Sequence, residues 1–104
     1  MSGPLLNPEI TSRALALVEV ERANQDAKWG LQDHPPAAWI SILAEEFGEA
    51  SKEANAIQFA PPLAYVSMRP LLKELTHTAA VAVAMIEFII RHRPDTDTNF
   101  EGPR

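Results

Sequence analysis

Residues 68–91, MRPLLKELTHTAAVAVAMIEFIIR, decide the fold. On a helical wheel at about 100° per residue, Lys73, Thr76, Glu87 and Arg91 gather on one narrow stripe, and aliphatic side chains take most of the rest. One acid breaks the pattern: Glu74 falls among Leu71, Thr78, Val81 and Met85. A helix that is apolar around most of its circumference is normally surrounded on nearly all sides. Two further helices of one short chain cannot enclose it. The stretch therefore predicts an all-α protomer of three helices that a second copy completes into an oligomeric, four-helix-type bundle.

Upstream, Asn7-Pro8-Glu9 is a helix start, with Asn as cap, Pro in the first turn and an acid beside it. The first helix is expected from about Pro8 to Ala27, with Ile10, Ala14, Leu17 and Val20 as its apolar stripe and Glu21 inside that stripe. A polar loop ending in Pro35-Pro36 separates it from a second helix over Ala37–Ile57. There Ile40, Leu43, Phe47, Ala50 and Ala54 share a face, and Glu46, Glu49 and Glu53 line its border. Pro61-Pro62 breaks the chain again, Ser67 is the expected cap of the third helix, and Arg93-Pro94 ends it. Residues 1–93 read as a single helical domain and residues 94–104 as a polar, flexible tail. No strand alternation, internal repeat or low-complexity tract is visible.

Composition narrows the classes. At 104 residues the chain is one domain at most. A formal charge of −5 argues against a nucleic-acid binder, which needs a basic surface. It leaves room for a nucleotide whose phosphates are neutralised by metal ions. No run approaches about 18 uninterrupted apolar residues, so no membrane association is expected. The absence of cysteine excludes disulfides and thiolate metal sites, and the N-terminus lacks signal-peptide features. A cytoplasmic setting is the expectation.

Glu45-Glu46-Phe47-Gly48-Glu49 is the second informative stretch. By itself Glu45-Glu46-x-x-Glu49 is more often a solvated helix face than a site, and Lys52 then serves only as an ion-pair partner for Glu49. Glu74 changes the balance. A lone carboxylate among aliphatic side chains is costly unless it is paired or bound to a cation. Carboxylates from two helices facing one cleft are what a hard divalent ion requires.

Glu46-x-x-Glu49 followed by Glu74-x-x-His77 resembles the paired metal motif of the MazG-like all-α nucleoside triphosphate pyrophosphohydrolases, whose pattern is E-E-x-x-E and then E-x-x-D. Lys28-Trp29-Gly30-x-Gln32-Asp33-His34-Pro35 and Trp39 resemble the stretch before the metal helix in that family. The likeness runs from about Val18 to Ile90. It implies hydrolysis of a (deoxy)nucleoside triphosphate to the monophosphate and pyrophosphate, with Mg²⁺ as cofactor, in a bundle completed as a homodimer or homotetramer. Carried over by position, Glu46, Glu49 and Glu74 are metal ligands, and Glu45 is a ligand or a base that orients water. With Glu46, it makes up the catalytic pair. The family's Asp is His77 here. Either His77 stands outside the metal shell, or the preference moves towards Mn²⁺, or activity falls.

Lys28, Lys52, Arg69 and Lys73 are candidates to hold phosphate oxygens, Lys52 first because it sits one turn beyond Glu49, each weighed against a solubilising surface charge. Trp29 and Trp39 are candidates to stack on the base, with Asn24, Gln25, Asp33 or His34 reading its edge, weighed against packing at the end of the bundle. A non-catalytic helical interaction module with a degenerate metal site is the alternative. A ferritin-like di-iron bundle would need Glu-x-x-His on two helices, and only Glu74-x-x-His77 fits.

Overall fold

Asn7 starts the first helix as its side chain dictates. Its Oδ1 accepts from the backbone N–H groups of Glu9 at 3.1 Å and Ile10 at 3.2 Å, and Pro8 has no N–H to satisfy. The computed structural model describes residues 7–101 and contains three helices: α1 (Pro8–Trp29), α2 (Pro36–Gln58) and α3 (Arg69–His92). There is no strand among the described residues. Residues 1–6 of the expected domain and 102–104 of the expected tail lie outside them.

The boundaries follow local chemistry. Gly30 stops α1 with φ 70° and ψ −167°, a combination essentially restricted to glycine, while its N–H reaches the Asp26 carbonyl at 2.8 Å. Pro35 caps α2, and Pro36 is its first residue. At α3 the cap is Met68 rather than Ser67; the Ser67 hydroxyl sits one residue back and accepts from the Arg69 N–H at 3.1 Å. Beyond His92 the described chain has only turns.

α3 is the axis. α1 and α2 each pack against it, and their backbones do not approach one another. The buried centre joins Trp39 of α2 to Val81 and Ala84 of α3, with Ile42, Leu43, Met85 and Phe88 around them. Ala50 and Ala80 are buried too, and side chains this short let helices approach closely. The loop after α1 is pinned to the end of α3, where Asp33 lies 3.1 Å from His92 Nε2 and 3.7 Å from Arg91. His34 stacks edge-on against Trp39 at 4.9 Å. These two residues therefore hold the loop in place.

Two helices present a different face from the one their apolar periodicity predicts. In α2 the inward residues are Trp39, Ile42, Leu43, Glu46 and Ala50, while Ile40, Phe47 and Ala54 are exposed. Relative to the predicted stripe, α2 is turned by roughly 60° towards its glutamates, at about 100° per residue. Trp39 is the reason, because burying that indole removes more apolar surface than burying Ile40. In α1 the inward side is Thr11, Val18, Glu21, Arg22 and the buried Gln25; Ile10, Leu17 and Val20 face outward.

Apolar surface is therefore left over. On the side of α3 away from the core, Leu72, Leu75, Ile86 and Ile90 are about half exposed, with Ala79 and Val83 between them. Positions 72, 75, 79, 83, 86 and 90 keep the three- and four-residue steps of a helix–helix seam. The radius of gyration is 17.0 Å, against about 13 Å for a compact chain of this length. No helix among the described residues is long and apolar enough to cross a membrane.

Candidate metal centre

Burial of Trp39 determines where Glu46 points. The two residues are two turns apart on α2, so seating the indole against α3 turns the carboxylate towards α3 as well. On α3, Glu74 and His77 are one turn apart and project side by side. The three side chains are all partly buried, and one donor atom from each lies within 4.8 Å of the others. His77 Nδ1 is 3.7 Å from Glu74 Oε2 and 4.0 Å from Glu46 Oε2. From α1, Glu21 brings Oε2 to 3.5 Å from His77 Nε2. Three carboxylates from three helices thus surround one imidazole.

Like charges this close repel one another unless positive charge lies between them. A protonated imidazole can supply it, and so can a bound cation. The donor set, two carboxylates and one ring nitrogen, fits a divalent ion. Nitrogen in that set suits Mn²⁺, Co²⁺ or Zn²⁺ better than Mg²⁺.

Two clefts flank Glu46 and share Gln25 and Trp29. One, of about 240 Å³, is walled by Arg22, Trp39, Ile42 and Arg91 among others. The second, of about 250 Å³, is lined by Glu21, Asn24, Lys28 and His77. Each is below the about 300 Å³ at which small-molecule sites begin, so a nucleotide would need both clefts or walls from another chain.

The remaining predicted residues are placed as follows. Trp29 is half exposed and carries the Lys28 ammonium 4.7 Å from its ring centre. Trp39 is a core residue, 2 % exposed, that also forms a cleft wall. Its Nε1 and His34 Nε2 are buried without a hydrogen-bond partner. Glu45 and Glu49 are exposed on α2 and stand outside the Glu46–Glu74–His77 trio. Lys52 is exposed and lines neither cleft.

Arg22 was not singled out by the sequence. It lies almost buried between α1 and α3, donating from Nε to Glu87 at 3.0 Å, from Nη1 to Gln25 at 3.2 Å and from Nη2 to Asp26 at 3.0 Å. Burial alone would lower its pKa, but hydrogen bonds to Glu87 and Asp26 outweigh that and hold the guanidinium above its ordinary value. The i,i+4 pairing with Asp26 was the one local signal for it.

Comparison with family models, curated proteins and solved structures finds no match for the chain.

Proposed function

We propose that this chain is a metal-dependent nucleoside triphosphate pyrophosphohydrolase of the MazG-like kind, acting as a homo-oligomer in the cytoplasm. The observation that carries the reading is the convergence of Glu46 from α2 with Glu74 and His77 from α3. Adjoining clefts with an exposed tryptophan and cationic rims support it.

In this reading Glu46, Glu74 and His77 hold the cation, Mg²⁺ or Mn²⁺. When bound, the ion neutralises phosphate charge and makes a bound water more acidic. Lys28, at the rim, attracts the negatively charged phosphate chain. The exposed ring of Trp29 stacks on the base, and the Gln25 amide, which lines both clefts beside Trp29, reads its edge. Glu45, outside the trio and next to Glu46, accepts the proton as water attacks and the α–β anhydride breaks, leaving monophosphate and pyrophosphate. Glu49, exposed one turn on from Glu46, joins the site in this reading only when a partner chain packs on α2.

The outward seam of α3, the outward stripe of α1 and Ile40 and Phe47 of α2 support the homo-oligomer. A second copy burying these faces would remove the leftover apolar surface and add walls to clefts that are small alone.

The test is incubation with a panel of ribo- and deoxyribonucleoside triphosphates plus Mg²⁺ or Mn²⁺, separating pyrophosphate from phosphate. Pyrophosphate release that disappears in Glu46→Gln is the expected result; no turnover of any triphosphate sinks the reading. A non-catalytic interaction module is the second reading, favoured by the imidazole at position 77 and by the exposed apolar faces. Calorimetry with Mn²⁺ separates the two, since such a module takes up no stoichiometric metal.

A further inference from the structure

The two nitrogens of His77 face different company. Nδ1 looks towards Glu74 Oε2 at 3.7 Å and Glu46 Oε2 at 4.0 Å, whereas Nε2 looks towards Glu21 Oε2 at 3.5 Å. All three separations exceed the about 3.2 Å limit of an N–H···O hydrogen bond, so none of the carboxylates accepts a ring proton as the side chains stand. The Nδ1 separations fall between the spacings of neighbouring and of opposed donor atoms around one cation. With bonds of about 2.1 Å, neighbouring donors lie about 3.0–3.4 Å apart and opposed ones about 4.2 Å apart. The whole trio spans no more than 4.8 Å. An inward shift of about half an ångström would bring the three donors to those bond lengths, with water in the remaining positions.

A histidine that ligates a metal through one nitrogen nearly always hands its other N–H to a carboxylate, carbonyl or water, which fixes the tautomer and raises ligand basicity. Glu21 Oε2 stands nearest to that place, 3.5 Å from Nε2 and about 0.3 Å beyond a hydrogen bond, on a different helix from either carboxylate of the trio. Its other oxygen, Oε1, is itself held, accepting from Asn24 Nδ2 at 3.5 Å.

We infer that, in the metal centre proposed above, His77 ligates through Nδ1 while Glu21 holds its Nε2–H, and that this carboxylate–imidazole arm makes the site take a transition ion such as Mn²⁺, Co²⁺ or Zn²⁺ in preference to Mg²⁺. Glu21 does not touch the ion. It is a positioning residue, and it brings α1 into metal selection.

The test uses the full chain, freed of metal, without nucleotide. Affinities for Co²⁺, Zn²⁺ and Mg²⁺ are measured by calorimetry, and Co²⁺ ligation is followed by visible absorption. Wild type should bind Co²⁺ and Zn²⁺ at one ion per chain and at least about 100-fold more tightly than Mg²⁺. Glu21→Ala should weaken Co²⁺ binding by about 10- to 100-fold, with Glu21→Gln, which keeps an acceptor oxygen, in between. His77→Asp should change the Co²⁺ spectrum and bring Mg²⁺ level with Co²⁺. In that background Glu21→Gln should alter Co²⁺ affinity by less than about threefold, because no imidazole is left to position.

Equal affinity of wild type for Mg²⁺ and Co²⁺ overturns the inference. So does a Glu21→Gln effect that is undiminished in His77→Asp, which would mark Glu21 as a general source of negative charge. Triphosphate turnover is scored separately. Selective metal binding without turnover removes the hydrolase and keeps the arm; turnover with no dependence of metal affinity on Glu21 does the reverse.

Discussion

Arg22 of α1 fastens to Glu87 of α3 through two guanidinium nitrogens that donate to one carboxylate oxygen, Nε doing so at 3.0 Å. The arginine is nearly buried, whereas Glu87 remains substantially exposed. Arg22→Ala should therefore lower unfolding stability by about 1–2 kcal/mol, between the values for surface and buried pairs. Glu87→Gln should cost less than about 1 kcal/mol, since solvent already screens that end. Urea denaturation of both variants measures the difference. The Arg22 pKa is raised, so its contribution is complete below the ordinary guanidinium range and is lost only as pH rises through the raised value. Between neutral and mildly alkaline pH, where its partners are carboxylates, the stability difference between wild type and Arg22→Ala should therefore stay unchanged.

Glu45 and Glu46 are neighbours in sequence with different surroundings, one exposed and one facing α3. In the hydrolase proposed above, Glu46→Gln should weaken divalent-ion binding at least about 10-fold and abolish turnover. Glu45→Gln should leave ion affinity within about threefold of wild type and reduce turnover by about 100-fold or more, as for removal of a general base. Calorimetry and pyrophosphate release, run side by side, check both.

Trp39 carries the core and sets the rotation of α2. Trp39→Ala should destabilise the protein by about 3–5 kcal/mol, the range for deleting a large buried ring. Trp39→Phe should cost less and keep α2 in register. Thermal unfolding by circular dichroism ranks the two; equal effects would mean that ring volume is not what seats the helix.

The outward seam of α3 should be the contact between copies. Ile86→Glu and Leu75→Glu place a charge on that seam and should shift the chain to monomer in light scattering coupled to size exclusion. Leu31→Glu, exposed in the loop after α1, should leave the mass unchanged.

Much of this was legible in the residues. Asn7, the proline pairs and the run after Glu74 gave three helices to within a few positions, because caps and prolines act locally. Glu74 stood out as an acid on an apolar face, and the structure brings Glu46 and His77 to it. The rotation of α2 was not legible. Periodicity reports how wide an apolar stripe is, but it does not say whether the chain's own core or another molecule will cover it, and the weight of Trp39 tipped that choice. For the same reason the stripe of Ile10, Leu17 and Val20 was read as inward when α1 turns a more polar side to α3. The Arg22–Glu87 clasp joins residues far apart in sequence, and no local pattern encodes it.

Because the backbones of α1 and α2 each approach only α3, the protomer resembles two pages bound to one spine, with Glu21 and Glu46 printed on facing leaves. A cation between those leaves would act as a latch, joining two helices whose backbones have no contact of their own.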